Sequence, residues 1–253
     1  MKYLFVFAWL LPQVVFSQDI RVREIKLRPF GQFYDSKDST IIYPVIVTKN
    51  EAASRLINKE IKRRILDSDD EGNAKISAGK ALLKMAQTGL SDLTYTITYN
   101  RNGILSLNIY QMVEVAYPHS SYDYFNFDSR TGKVLKIEDI LKRAMIEQFR
   151  SMVYADKLDS LKRYKEDELK SHLMSKDIDS TVYQSALDII NEDCIGTASL
   201  DDFSISLTGI EIFDQCEFPH FLTHLQPGYK LKYSYRLMEP YVRAEYRGRL
   251  SYK

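Results

Sequence analysis

Three consecutive runs between residues 93 and 128, LTYTITYN, ILSLNIYQMVEVAY and SYDYFNFD, alternate apolar and polar side chains. A period of two belongs to a strand with one face buried. The first two runs are separated only by RNG, where Gly103 permits a tight turn. Connections this short cannot carry a parallel crossover, so the strands form an antiparallel meander. Tyr95, Ile97 and Tyr99 are expected on one face of the first strand, with three threonines on the other. Leu105, Leu107, Ile109, Val113 and Val115 share a face of the second. Phe125 and Phe127 fall opposite Tyr124 on the third. Such a meander needs a cover for its apolar face, and the rest of the chain must supply it.

The cover is legible on both sides. DIRVREIKL and TIIYPVIVT read as two further strands, the second carrying Pro44 as the mark of an edge or bulge. Asn50 then caps a helix over 51–66, with Ala53, Leu56, Ile57, Ile61 and Ile65 as its apolar stripe. A second helical pattern follows at 78–86. Beyond the meander, a helical region spans 137–174 with a break expected near 156–160, and another helix fits 182–191. DFSISLTGIEIF and YKLKYSYRL read as closing strands, with Gly209 at a turn or bulge. Strands and helices are segregated rather than alternating, which predicts an α+β fold of antiparallel meanders packed against several helices.

The N-terminus, MKYLFVFAWLLPQVVFSQD, has one basic residue, Lys2, and then a short uncharged, mostly apolar run from Tyr3 to Phe16. Val15 and Ser17 occupy the minus-three and minus-one positions of a cleavage site, so residues 1–17 read as a secretory leader with Gln18 as the mature start. No later run approaches the roughly 20 apolar residues of a membrane span. The protein is expected to be exported, either periplasmic or extracellular. Without Lys2 the basic and acidic side chains balance at 34 each. That balance argues against nucleic acid, which needs a concentrated basic footprint, and against an anionic membrane surface. In an exported chain the two cysteines, Cys194 and Cys216, read as one disulfide.

Motifs for chemistry are incomplete. DSDDEG begins like a calcium loop at Asp67, Asp69 and Glu71, but the twelfth position is Ala78 instead of a bidentate carboxylate. GNAKISAGKA has six residues between Gly72 and Gly79, against four in a phosphate-binding loop, and Ala81 replaces the hydroxyl that holds magnesium. HFLTH places His220 and His224 four apart with Glu217 nearby, the weak candidates for a metal site if the segment were α-helical. There is no GxSxG elbow and no cofactor is expected. The remaining candidates are Tyr117, His119, Tyr122 and Tyr124, at a strand-to-strand crossing. Aromatic side chains with a polar tip suit a stacking or interface surface.

One resemblance spans residues 41–235. The features are YP, a helix with Ile57 and Asn58, LSLNIY, then YPHSSYDYFNFDSRTGKVLKIEDIL and the closing strands. This order resembles the exported domains of PdaC-type peptidoglycan deacetylases and of RsiV-type lysozyme-sensing anti-sigma factors. Its most distinctive part is the turn with Phe127, Asp128, Thr131, Gly132 and Lys133. Asp128 is expected to bond the amides ahead of it, Gly132 to take positive φ, and Glu138 and Asp139 to favour the next helix start. The resemblance implies a PdaC-like half over 18–116 and an RsiV-like half over 117–253, packed as one unit. It implies a non-catalytic cell-envelope module whose partner is peptidoglycan glycan or a wall-directed protein such as lysozyme. The alternatives are a small secreted zinc-dependent hydrolase using His220, His224 and Glu217, or an immunity or structural protein that binds another secreted polypeptide.

Overall fold

The computed structural model describes residues 20–28, 40–66, 75–114, 118–196 and 198–250. The expected leader, Asp67, Asp69, Glu71, Gly72, Val115 and Tyr117 lie outside them. Among the described residues, the alternating runs become β3 (Leu90–Arg101), β4 (Ile104–Val113) and β5 (His119–Asp128), joined as an antiparallel meander. β1 (Ile20–Leu27) and β2 (Ile41–Thr48) complete a sheet of order β1-β2-β3-β4-β5. β4 and β5 pair over all ten residues of each. The expected division between 116 and 117 therefore falls inside this sheet.

One face of the sheet carries Ile41, Tyr43, Leu93, Leu105, Leu107, Ile109, Phe125 and Phe127, all buried. Helices α1 (Glu51–Ile65) and α2 (Ala78–Gln87) cover it, burying Ile57, Ile61, Ile65 and Leu82. Asn50 caps α1, its Oδ1 accepting from the amides of Ala52 and Ala53. Leu56, expected in the apolar stripe, is instead 51% exposed.

β2 meets β3 only at Ile41 and Leu93, where the pairing is parallel. From there on the edge of β2 that faces β3 has no strand neighbour, which is why Pro44 is tolerated in it. The α1 helix supplies the missing partners. Asn58 accepts from the Ile46 amide at 2.8 Å and donates to the Ile46 carbonyl at 2.7 Å, while Ser54 Oγ accepts from the Thr48 amide at 2.8 Å.

A second antiparallel sheet contains β6 (Phe203–Ile205), β7 (Gly209–Gln215) and β8 (Gly228–Ser234). Its edge strand β6 seats on the opposite face of the larger sheet. Asn126 Nδ2 donates to the Phe203 carbonyl at 2.7 Å, Ser106 Oγ accepts from the Ile205 amide at 3.0 Å, and Thr98 and Ser204 bond through their hydroxyls at 2.8 Å. Edge-strand groups that lack a strand partner are thus satisfied by side chains. Helix α4 (Ile146–Arg163) covers the other face of this sheet through Phe149 and Val153, which pack with Ile210, Ile212 and Tyr233. A third cluster joins α6 (Ser180–Glu192) to the Cys194–Cys216 disulfide and to Leu222 and Leu225. The fold is α+β, as expected.

Two local expectations change. A β-bulge between Ile97 and Tyr99 breaks the alternation, so Tyr99 leaves the face of Tyr95 and Ile97 and joins the core under the second sheet. The helix break expected near 156–160 is absent. The helix instead starts late, after the short α3 (Ile137–Ile140) and a 3-10 turn, and runs unbroken to Arg163. A π-helical turn, Tyr164–Leu169, then joins it to α5 (Lys170–Met174). Residues 220–225 form a 3-10 helix, not the α-helical turn that a His220–His224 metal pair would need.

The turn after β5 is a junction between distant segments. Asp128 accepts from the amides of Arg130 and Thr131 and pairs with Arg249 at 2.8 Å. Gly132 has φ +78°, and a Cβ there would lie 2.7 Å from the Ala53 carbonyl oxygen. Lys133 reaches Asp139 at 2.6 Å, and Asp139 accepts from the Lys136 amide to start α3. One short turn thereby fixes α1, α3 and the C-terminal segment, which continues through α7 (Tyr235–Met238) and α8 (Ala244–Arg247).

Candidate functional site

The face of the larger sheet that β6 seats on is built of cross-strand rows. Register places Ser106 and Asn126 in one row, which Thr98 of the β3 bulge joins through a 2.9 Å hydrogen bond to Ser106 Oγ; Thr96, Asn108 and Tyr124 form the next row, and Thr94, Tyr110 and Tyr122 the third. The first row lies under β6. The second sheet reaches only the margin of the next, where Phe213 of β7 stacks on Tyr124 with ring centroids 4.0 Å apart and planes 13° from parallel. The third row is open, and Tyr122 is 56% exposed. Side chains two apart on a strand stand about 6.8 Å apart. Tyr122 and Tyr124 therefore lie side by side, with centroids 6.4 Å apart and planes 17° from parallel. Tyr110 supports Tyr122 from β4 at 5.0 Å.

Where the cover ends there is a cleft of about 190 Å³, lined by Tyr122, Tyr124, Phe213, Ser199, Asp202 and Asp214. Its charges are unequally satisfied. Asp214 pairs at 2.8 Å with Lys157 of α4, a side chain only 5% exposed that also donates to the Gly196 carbonyl. Behind the tyrosines, Asp123 pairs with Arg64 of α1 at 2.7 Å, and the Arg64 guanidinium lies 4.5 Å over the Phe125 ring. Lys230 binds Glu211 at 2.9 Å on the far side of Phe213. The Asp202 carboxylate has no ion pair or hydrogen bond among the described residues; its backbone carbonyl accepts from the Phe213 amide. Protein packed around Asp202 raises its pKa, and the charges of Asp123, Asp201 and Asp214 add to the rise against the lowering effect of Arg64. The Tyr124 hydroxyl is also pushed up, first by burial and then by the Asp202 charge, so it stays a hydrogen-bond donor.

Of the residues named from sequence, Tyr122 and Tyr124 are brought together here. His119 is not: the unbroken β4–β5 register puts it on the opposite side of β5 from both tyrosines. Phe213, Asp202, Asp214 and Ser199 come from a segment about eighty residues later. The available clue was Phe213 itself, an apolar residue on the otherwise polar face of β7.

The imidazoles of His220 and His224 do not share a side. In a 3-10 helix of three residues per turn, positions four apart diverge by about 120°. Among the described residues there is no group of three or more His, Cys, Asp or Glu side chains placed to hold a metal ion. No helix among them is long and apolar enough to cross a membrane.

No family model and no curated protein matches the chain. Solved structures do. A DUF3298 family protein from Bacteroides fragilis NCTC 9343 superposes with a TM-score of 0.57 at 12% identity, covering 94% of this chain and 98% of that one. A DUF3298 family protein from Pseudomonas aeruginosa PAO1 superposes with a TM-score of 0.52 at 12% identity, covering 89% and 94%. The architecture of this chain, from β1 to the C-terminal helices, is thus similar to that of DUF3298 proteins, a likeness of fold.

Proposed function

We propose that the protein is an exported, non-catalytic binding module of the cell envelope that recognises wall glycan on the Tyr122–Tyr124–Phe213 surface. The observation that carries the reading is the open tyrosine pair beside the cleft. A sheet face that only needed cover would bury these rings, whereas Tyr122 stands exposed on the open third row. Stacked rings at strand pitch match the flat apolar faces of successive sugars, and Ser199 and Asp202 at the rim supply a hydroxyl and a carboxylate for sugar hydroxyls. The Cys194–Cys216 disulfide suits an oxidising compartment. The fold likeness to DUF3298 proteins agrees with the PdaC- and RsiV-type resemblance carried by the Asp128–Lys133 turn.

The test is sedimentation of the purified protein with insoluble peptidoglycan, run beside binding to immobilised lysozyme. Saturable binding to peptidoglycan that Tyr122→Ala weakens at least tenfold, about 1.4 kcal/mol, supports the reading. Peptidoglycan binding indifferent to Tyr122→Ala moves the site elsewhere, and binding to lysozyme alone replaces the glycan with a protein partner.

A further inference from the structure

The cleft's charge points to a narrower ligand class, an inference that rests on the glycan reading above. We infer that the cleft selects a sugar bearing a protonated primary amine, a glucosamine unit rather than its N-acetylated form. Asp202 lines the cleft with two tyrosines and a phenylalanine, and its carboxylate has no ion pair or hydrogen bond among the described residues, Arg64 acting on it only at longer range. The nearby cations are already engaged: Lys157 with Asp214, Arg64 with Asp123, Lys230 with Glu211. The cleft therefore presents one carboxylate that no ion pair engages. The rings add to the same sign, because an aromatic face carries negative electrostatic potential and attracts a cation.

A neutral acetamido sugar can stack on Tyr122 and Tyr124 but leaves Asp202 without a counter-charge. A sugar bearing a carboxylate would meet Asp202 and Asp214 as like charges. An ammonium group satisfies both features at once, donating a charge-assisted hydrogen bond to Asp202 and lying against the ring faces. The intact Lys157–Asp214 pair matters here. It neutralises the second carboxylate and leaves the cleft short of one positive charge, not two.

The experiment is calorimetric titration of the purified protein with short glucosamine oligomers and with fully N-acetylated oligomers of equal length. It is performed below the pKa of the sugar amine, over a salt series, on the wild type, Asp202→Asn, Asp202→Glu and Tyr122→Ala. The expected result is a preference of about tenfold or more for the free amine, the scale of one charge-assisted hydrogen bond. That preference should shrink with salt, vanish in Asp202→Asn and persist in Asp202→Glu, while Tyr122→Ala weakens both ligands together. Because Asp202 is solvent-accessible and its charge is disfavoured by its surroundings, Asp202→Asn should melt no lower than the wild type, which separates loss of the amine contact from loss of the fold. Equal affinity for the two oligomers, or a preference that survives in Asp202→Asn, overturns the amine assignment and leaves the glycan reading standing. Failure of both oligomers to bind overturns both.

Discussion

Replacing Asn58 by alanine tests whether α1 acts as the missing neighbour of β2. The Asn58 side chain makes three hydrogen bonds: from the Ile46 amide at 2.8 Å, to the Ile46 carbonyl at 2.7 Å and to the Ser54 carbonyl at 2.8 Å. Each is worth about 1 kcal/mol net, and a buried backbone group left without a partner costs more. The site is only partly buried, so water can reach some of what alanine vacates. Alanine also gains about 0.5 kcal/mol of helix propensity over asparagine. The expected loss is therefore about 2 kcal/mol, a fall of roughly 4–8 °C in melting temperature for a chain of this size. Urea unfolding followed by circular dichroism measures it, with the m-value held constant to show that the unfolded state is unchanged. Asn58→Asp keeps an acceptor for the Ile46 amide but cannot donate to the Ile46 carbonyl, so it should be destabilised too. A loss below about 0.5 kcal/mol for Asn58→Ala, the level of an ordinary surface change, would refute the claim that these bonds secure the β2 edge.

Further outcomes follow from the same geometry. Gly132→Ala adds a Cβ 2.7 Å from the Ala53 carbonyl at φ +78°, and should cost at least about 1–3 kcal/mol in chemical denaturation. Reducing the Cys194–Cys216 bond, which spans 22 residues, should lower stability by about 3 kcal/mol on the chain-entropy model, read as the melting shift on adding a thiol reductant. Burial raises the Asp128 carboxyl, but the Arg249 guanidinium and the amides of Arg130 and Thr131 outweigh it and hold the pKa below the ordinary range. A depressed carboxylate stabilises the fold above its unfolded pKa of about 4, and that stability is lost as pH falls through the lower folded value. Asp128→Asn should therefore be less stable at neutral pH and show a shallower loss on acidification; an unchanged acid limb would remove Asp128 from that role.

Much of the fold was legible because it rests on local pattern: the alternation of β3 to β5, the Asn50 cap, and the glycine that the turn after Asp128 requires. What was not legible depends on segments far apart in sequence. Tyr95, Ile97 and Tyr99 alternate without interruption, yet the bulge turns Tyr99 to the other face, where its hydroxyl donates to the Arg249 carbonyl at 2.6 Å. Nothing local to β3 announces a partner 150 residues away. The site has the same origin. β6 is three residues long and covers the row of Thr98, Ser106 and Asn126, satisfying its own edge on their side chains. The chain enters β6 at Asp202, which still accepts from the Phe213 amide but belongs to no strand. One more pair of residues in β6 would carry the cover across the row of Tyr124, and the cleft would close. Its opening, its aromatic floor and its unpaired carboxylate thus follow from where one short strand begins. That is a property of register between two sheets, and a reading of either sheet's sequence alone does not contain it.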